Sequence, residues 1–311
     1  MSLSMILGLG QTALELALFN ALTVLALFLS YSMLNVCDLS TDGCYALGAA
    51  VGAVVAIAGH PWLSIPAAMG AGMLSGLVTA TLQTRMGVNS LLAGIIVNTG
   101  LYSVNIWIMG GSSLLNMNKT ETVFTRLKAA LKDTPFAGQF SLVIGLVAVA
   151  AVIAFLSFFL RTRLGLAIRA TGDNPDMVRS SSINPVFTTT VGLCVSNAFT
   201  ALSGCLLAQS QKSVDVNIGS GMVTVALASL LIGGVFLGRR SIPLRAVGAV
   251  LGAFVFRLVY TVALRFNLPA FMLKLISSVI VVIAISGPYL KKQFPLLKRQ
   301  LAAQFGKAGM Q

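Results

Sequence analysis

Apolar residues occur along the chain in long blocks, without the strict alternation of a half-buried strand. The blocks fall near residues 13 to 36, 43 to 59, 63 to 82, 90 to 110, 140 to 160, 186 to 208, 219 to 237, 246 to 264 and 269 to 289. A helix of about 20 apolar residues crosses a ~30 Å hydrocarbon core. The pattern predicts an all-α polytopic membrane protein of about nine transmembrane helices, eight to ten, forming one domain over 1–311.

Composition agrees with that reading and removes others. Of the 311 residues, 57% are hydrophobic and only 9% charged, and mean hydropathy is +0.91. Soluble domains carry roughly 25% charged residues, so disordered chains, secreted enzymes and disulfide scaffolds are excluded. The first apolar block lacks a preceding charged region and a small-residue cleavage site, and is read as retained. A net charge of +13 would suggest nucleic acid in a soluble protein. Here the basic residues lie between apolar blocks, where the positive-inside rule explains them, and no nucleic-acid partner is read.

The basic residues also orient the blocks. Arg85 follows the third; Arg161, Arg163, Arg169 and Arg179 follow the fifth; Arg239, Arg240 and Arg245 follow the seventh; Lys291, Lys292, Lys298, Arg299 and Lys307 follow the last. Alternation from these cytoplasmic loops puts the C-terminus inside and, if the second block crosses, the N-terminus outside. Loop 111–139 then lies outside the membrane despite Lys119, Arg126, Lys128 and Lys132, partly offset by Glu121 and Asp133. Its TETVFTRLKAALKD stretch predicts a short amphipathic helix.

The second block is short and opens with CDLSTDGC. Asp38 and Asp42 must face water or protein, since an Asp at mid-membrane costs roughly 2.5–3.5 kcal/mol on insertion scales. Two arrangements satisfy this: both acids at the cytoplasmic interface between ordinary helices, or a broken second helix whose loosened backbone lines a cavity.

Motifs for chemistry are missing. No GxxxxGK[ST], HExxH or GxSxG run occurs, and the single His60 with four cysteines gives no zinc set. Cys37, Cys44, Cys194 and Cys205 read as free thiols in or beside apolar segments. Ionisable residues inside the blocks are few: Glu15, the two Asp, and Arg257 and Lys274 near block ends. That scarcity argues against a proton relay of the kind secondary carriers use. Small residues at four-residue spacing, as in GAAVGAVVAIAG, allow close helix packing.

The polar stretch 161–185, RTRLGLAIRATGDNPDMVRSSSINP, predicts a helical run, a Gly-Asp-Asn-Pro break at which Gly172 turns the chain, and a second short helix with Pro175 at its first position and Asn174 or Asp173 as cap. In the fourth block, Asn98, Tyr102 and Asn105 fall on one helical stripe near Trp107. Such a stripe suits a small polar solute with an aromatic part, or serves interhelical hydrogen bonding. Gln209, Gln211, Lys212 and Asp215 are expected at the outer surface, solvated or touching a soluble partner.

These residues carry a family resemblance. LGLAIRATGDNPDMVRSSSIN, NVCDLSTDGCYALGAAVGA and GSGMVTVALASLLIGGVFLGRRSIPLRAVGAVLGAFVFRLV resemble segments of permease subunits of bacterial ABC importers, the branched-chain amino acid/ribose permease family. With SLLAGIIVNTGLYSVNIWIMGGSSLLN, the likeness covers about residues 10 to 292 and is strongest to the branch assigned to tryptophan or other aromatic amino acids. The chain departs from that branch at Gly234, where an acidic residue often stands.

The resemblance implies a permease dimer, a homodimer by expectation, in the bacterial inner membrane. Two cytoplasmic ATPase subunits would bind ATP and Mg, with no cofactor on this chain and no catalytic residue in it. A soluble binding protein would deliver the solute, an amino acid; a sugar or nucleoside permease and a stand-alone carrier are the alternatives. It also implies that Arg169, Ala170, Gly172, Asp173, Asn174, Pro175, Met177 and Val178 couple to the ATPase, with Arg179 beside them. The candidates for the translocation path are Asp38, Ser40, Thr41, Asp42, Asn98, Tyr102, Asn105 and Asn197.

Overall fold

The computed structural model describes residues 3–130, 140–237 and 241–264, together with Leu275, Ser278, Val279, Val281, Val282 and Ser286. The expected ninth block, the C-terminal basic cluster, Arg239 and Arg240 lie largely or wholly outside the described residues.

In chain order the elements are α1 (Leu3–Leu27), α2 (Thr41–Ile57), α3 (Pro61–Thr84), α4 (Ser90–Ile108), strand β1 (Leu114–Asn116), α5 (Val123–Ala130), α6 (Phe140–Phe159), α7 (Arg163–Asp173), α8 (Pro175–Ser180), α9 (Pro185–Gln211), strand β2 (Ser213–Asp215), α10 (Met222–Leu237) and α11 (Ile242–Leu264). Six described helices are long and apolar enough to cross a membrane; α2 and α10 are apolar but shorter. The polytopic α-helical architecture expected from the hydrophobic blocks is present. The three-residue strands, paired antiparallel from Leu114 to Asp215, were not foreseen, because three residues carry no alternation to read.

The 27-residue α9 is the axis of the bundle. At one end, called lower here, α7 and α8 precede it; at the other, upper, it runs into β2. Residues 193–209 of α9 are buried almost throughout, because α1, α2 and α3 surround it. Its neighbours approach closely because small residues meet there: Gly48 faces Ala201, Gly52 faces Cys205, and Gly76 faces Leu193 and Cys194. In lipid, where apolar burial between helices gains little over lipid contact, such backbone approach carries the association.

The first block does not remain α-helical to its end. After Leu27 it passes into a π-helical turn, Phe28–Met33, and then into irregular backbone from Leu34 to Ser40 before α2 begins. Leu34 packs near the lower end, against Ile168 and Leu193. Asp38, a few residues on, is hydrogen-bonded to Asn197, the thirteenth residue of α9 and therefore near its midpoint. The chain thus rises by about one turn of α9 in non-helical form, and α2 starts at mid-depth and rises parallel to α9. Of the two arrangements open for Asp38 and Asp42, neither is met in full: α2 is short but unbroken, and the irregular backbone that carries Asp38 precedes it.

Helix α10 is its counterpart. Irregular chain leads down from β2 to Met222, where α10 begins beside Asp42 and descends, antiparallel to α11. The lower end of α11 is marked by Arg245, which donates to Ser32 Oγ at 2.8 Å and lies over the Phe28 ring. Two of the shorter apolar helices therefore start from one junction at mid-depth and run in opposite directions.

Candidate functional site

Asp42 holds the junction. Its carboxylate accepts hydrogen bonds from the backbone N–H of Gly221 at 2.9 Å and of Val223 at 2.8 Å, so the first turn of α2 caps the N-terminus of α10. A carboxylate at a helix N-terminus satisfies free amides and meets the positive end of the helix dipole. Behind it, Asp38 is buried and accepts from Ser40 N, Ser40 Oγ and Asn197 Nδ2, at 2.8, 2.6 and 2.8 Å. Thr79 Oγ1 donates to Ser40 Oγ, and Thr41 Oγ1 donates to the Asp38 carbonyl. Asp38, Ser40, Thr41 and Asn197 thus share a hydrogen-bonded network at the break, and none of them lines the cavity that opens in front of the junction.

In front of the junction lies a partly open cavity of about 390 Å3. One wall is the start of α2, with Asp42 and Gly43. The facing wall is α4, with Asn98, Tyr102, Ser103 and Asn105, and the descending segment before α10 adds Asn217 and Ser220. Asn98, Tyr102 and Asn105 share one face of α4, as their spacing predicts, and that face lines the cavity opposite Asp42. Trp107 is exposed on another face and takes no part. Tyr102 is half exposed, whereas Asn105 is buried and donates from Nδ2 to the Gly43 carbonyl at 3.2 Å. The side chains of Asn98, Tyr102, Ser103 and Ser220 make no hydrogen bond to the described residues. A larger concavity of about 760 Å3, between α3 and α6, is lined by apolar side chains such as Met69, Val147, Phe155 and Leu202. It offers nothing to a polar solute.

At the lower end the 161–185 stretch forms the two helices foreseen, α7 and α8. Asn174 caps α8, its Oδ1 accepting from Asp176 N and Met177 N at 3.1 Å each, with Pro175 in the first turn. Met177 is 68% exposed, while Val178 is buried against the bundle. Arg179 lies 3.6 Å from Asp176 in an exposed ion pair. The expectation for Gly172 is corrected. It does not turn the chain but sits inside α7, whose last residue is Asp173, and it lies against the backbone of Met33 and Leu34; a Cβ there would strike the Met33 carbonyl oxygen. The turn belongs to Asn174, which is extended at φ −158°.

At the upper end another expectation fails. Gln209 is fully buried, not surface-facing: its Oε1 accepts from Val123 N at 3.0 Å and its Nε2 donates to Ser64 Oγ, so it ties the start of α5 to α3 and α9. Amphipathic α5 itself matches the helix predicted in loop 111–139. All four cysteines are free. Among the described residues no cluster of three or more His, Cys, Asp or Glu could hold a metal ion.

Comparison with known proteins gives this architecture its family. The sequence profile described as "Branched-chain amino acid transport system / permease component" matches residues 12–285. The chain belongs to that family. Among relatives of this permease, the tyrosine transport system permease protein of Clostridioides difficile is 31% identical over 268 residues, 86% of each chain. A guanosine ABC transporter permease of Bacillus subtilis is 29% identical over 204 residues, 62% of this chain and 61% of its own. A fructose import permease of Bifidobacterium longum is 27% identical over 273 residues, 81% of this chain and 73% of its own. No solved structure matches. The permease is thus a multi-pass membrane subunit of an ABC transport system, and its relatives are named for solutes of three chemical classes.

Proposed function

We propose that this permease imports an amino acid with an aromatic side chain through the cavity between α2, α4 and the start of α10. The observation that carries this reading is the row of unpaired polar side chains, Asn98, Tyr102, Ser103 and Ser220, around a carboxylate at mid-depth of a membrane bundle. Against lipid such groups would lack hydrogen-bond partners; a water-filled path supplies them. The cavity is open at one side of the single chain, and a second copy placed against α4 would close it. The functional unit is therefore a homodimer, in the bacterial inner membrane with the C-terminus inside.

The chain itself binds no cofactor and catalyses no reaction. ATP and Mg belong to two ATPase subunits that dock on α7 and α8, where exposed Met177 offers an apolar knob between Arg169 and Arg179. A soluble binding protein meets the upper end. The aromatic amino acid is favoured by the tyrosine permease relative, which matches over 86% of both chains, and by Tyr102 on the cavity wall.

The test is uptake by proteoliposomes holding the permease with its ATPase and loaded binding protein. ATP-dependent accumulation of tyrosine, phenylalanine or tryptophan is expected, and Tyr102→Ala should slow it with little change in melting temperature. Uptake of guanosine or fructose alone, or ion-driven uptake by the isolated permease, would overturn the reading.

A further inference from the structure

The cavity is unbalanced in charge and in hydrogen-bonding sense. Asp42 carries a carboxylate with no Lys, Arg or His in ion-pair range among the described residues, and its two backbone bonds leave lone pairs on both oxygens. The dipole of α10 compensates only about half a charge. On the facing wall the Asn98 carboxamide, whose oxygen lies next to Gly43, makes no bond to the described residues; Asn105, two helical turns further along α4, is buried and donates to the Gly43 carbonyl. Among the described residues no cationic side chain lines the cavity. A carboxylate with free lone pairs and no countercharge among the described residues calls for a positively charged donor.

We infer that the Asp42 end of the cavity, faced by Asn98, receives the primary ammonium group of the solute, with its side chain directed along Tyr102. This rests on the amino acid reading above and extends it by giving the solute an orientation. An ammonium has three donors, of which the Asp42 carboxylate and the facing Asn98 amide oxygen can each accept one. A solute carboxylate at the same place would face Asp42 without a countercharge, and a sugar would leave Asp42 unneutralised.

Asn98 is the position to test, because it forms no bond that folding depends on. In the reconstituted complex at saturating loaded binding protein, uptake per ATP hydrolysed should rank Asn98→Asp above Asn98→Leu above Asn98→Lys, with at least tenfold between the extremes. The lysine would pair with Asp42 and occupy the ammonium position. The reverse order would put the solute carboxylate there and overturn the inference, as would equal uptake by all three, which means packing or water only. Loss of wild-type uptake when sodium is replaced by choline would assign the site to a metal cation and also overturn it. If Asn98→Lys does not assemble, Ser103→Lys brings the same charge from the same wall. Failure of the amino acid reading shows separately, as a wild-type complex that accumulates no amino acid with any loaded binding protein.

Discussion

Asn197 Nδ2 donates to Asp38 Oδ2 at 2.8 Å, joining the middle of α9 to the irregular chain below α2. Both residues are buried, and among the described residues no basic side chain forms an ion pair with Asp38. Asn197→Leu would leave that carboxylate short of a donor and Asn197→Asp would oppose it with like charge. Each should cost about 3 kcal/mol or more, the scale for an uncompensated buried charge. In detergent, both should lower the melting temperature and the yield of folded permease, Asn197→Asp more than Asn197→Leu.

Gly172 and Gly234 form a matched pair of opposite expectation. A methyl group at Gly172 would meet the backbone of Met33 and Leu34, while one at Gly234 would meet nothing within 4 Å. Gly172→Ala should destabilise by about 1–3 kcal/mol, as overpacking does; Gly234→Ala should stay within about 0.5 kcal/mol of wild type. Thermal unfolding of the two variants side by side checks this. Gly234 needs no acidic residue for its packing.

Docking of the ATPase is therefore better probed at Met177 than at Gly172, whose substitution would disturb packing first. Met177→Glu changes an exposed side chain and should keep the melting temperature. It should reduce ATP hydrolysis stimulated by the binding protein at least fivefold in the reconstituted complex. Unchanged stimulation would remove α8 from the docking surface.

Gln209→Leu should free the start of α5. It would leave Val123 N–H and Ser64 Oγ without their present partner, at about 1–3 kcal/mol for an unsatisfied buried group. Hydrogen exchange at residues 123–128 should accelerate in this variant while the amides of α9 stay protected.

How far the sequence is legible depends on the range of the interaction concerned. The membrane blocks could be read because each is a continuous apolar run, and the Asn98, Tyr102, Asn105 stripe because helical periodicity alone puts those residues on one face. The cap on α8 is equally local, an Asn followed by Pro. By contrast, the start of α10 is set by Asp42, some 180 positions earlier, and nothing around Gly221 announces it. Gln209 follows a long apolar run and precedes Lys212 and Asp215, so local pattern gave it to the surface; its partners, Val123 and Ser64, come from two distant elements. Gly172 stands just before Asn-Pro and therefore reads as a turn, though the space it leaves is filled by backbone from residues 33 and 34. Asp38 and Asp42, four apart and chemically alike, serve different elements, a buried network and a helix cap.

The irregular segment between Leu34 and Ser40 has a mechanical side. Its lower end is pressed by α7 at Gly172, and its upper end leads within a few residues to the carboxylate that holds α10. A helix in that position would transmit a push as a rigid rod; an irregular strip can instead swivel about its φ and ψ angles. A displacement of α7 would arrive at the cavity as a rotation of the Asp42 corner, shifting the starts of two oppositely directed helices at once.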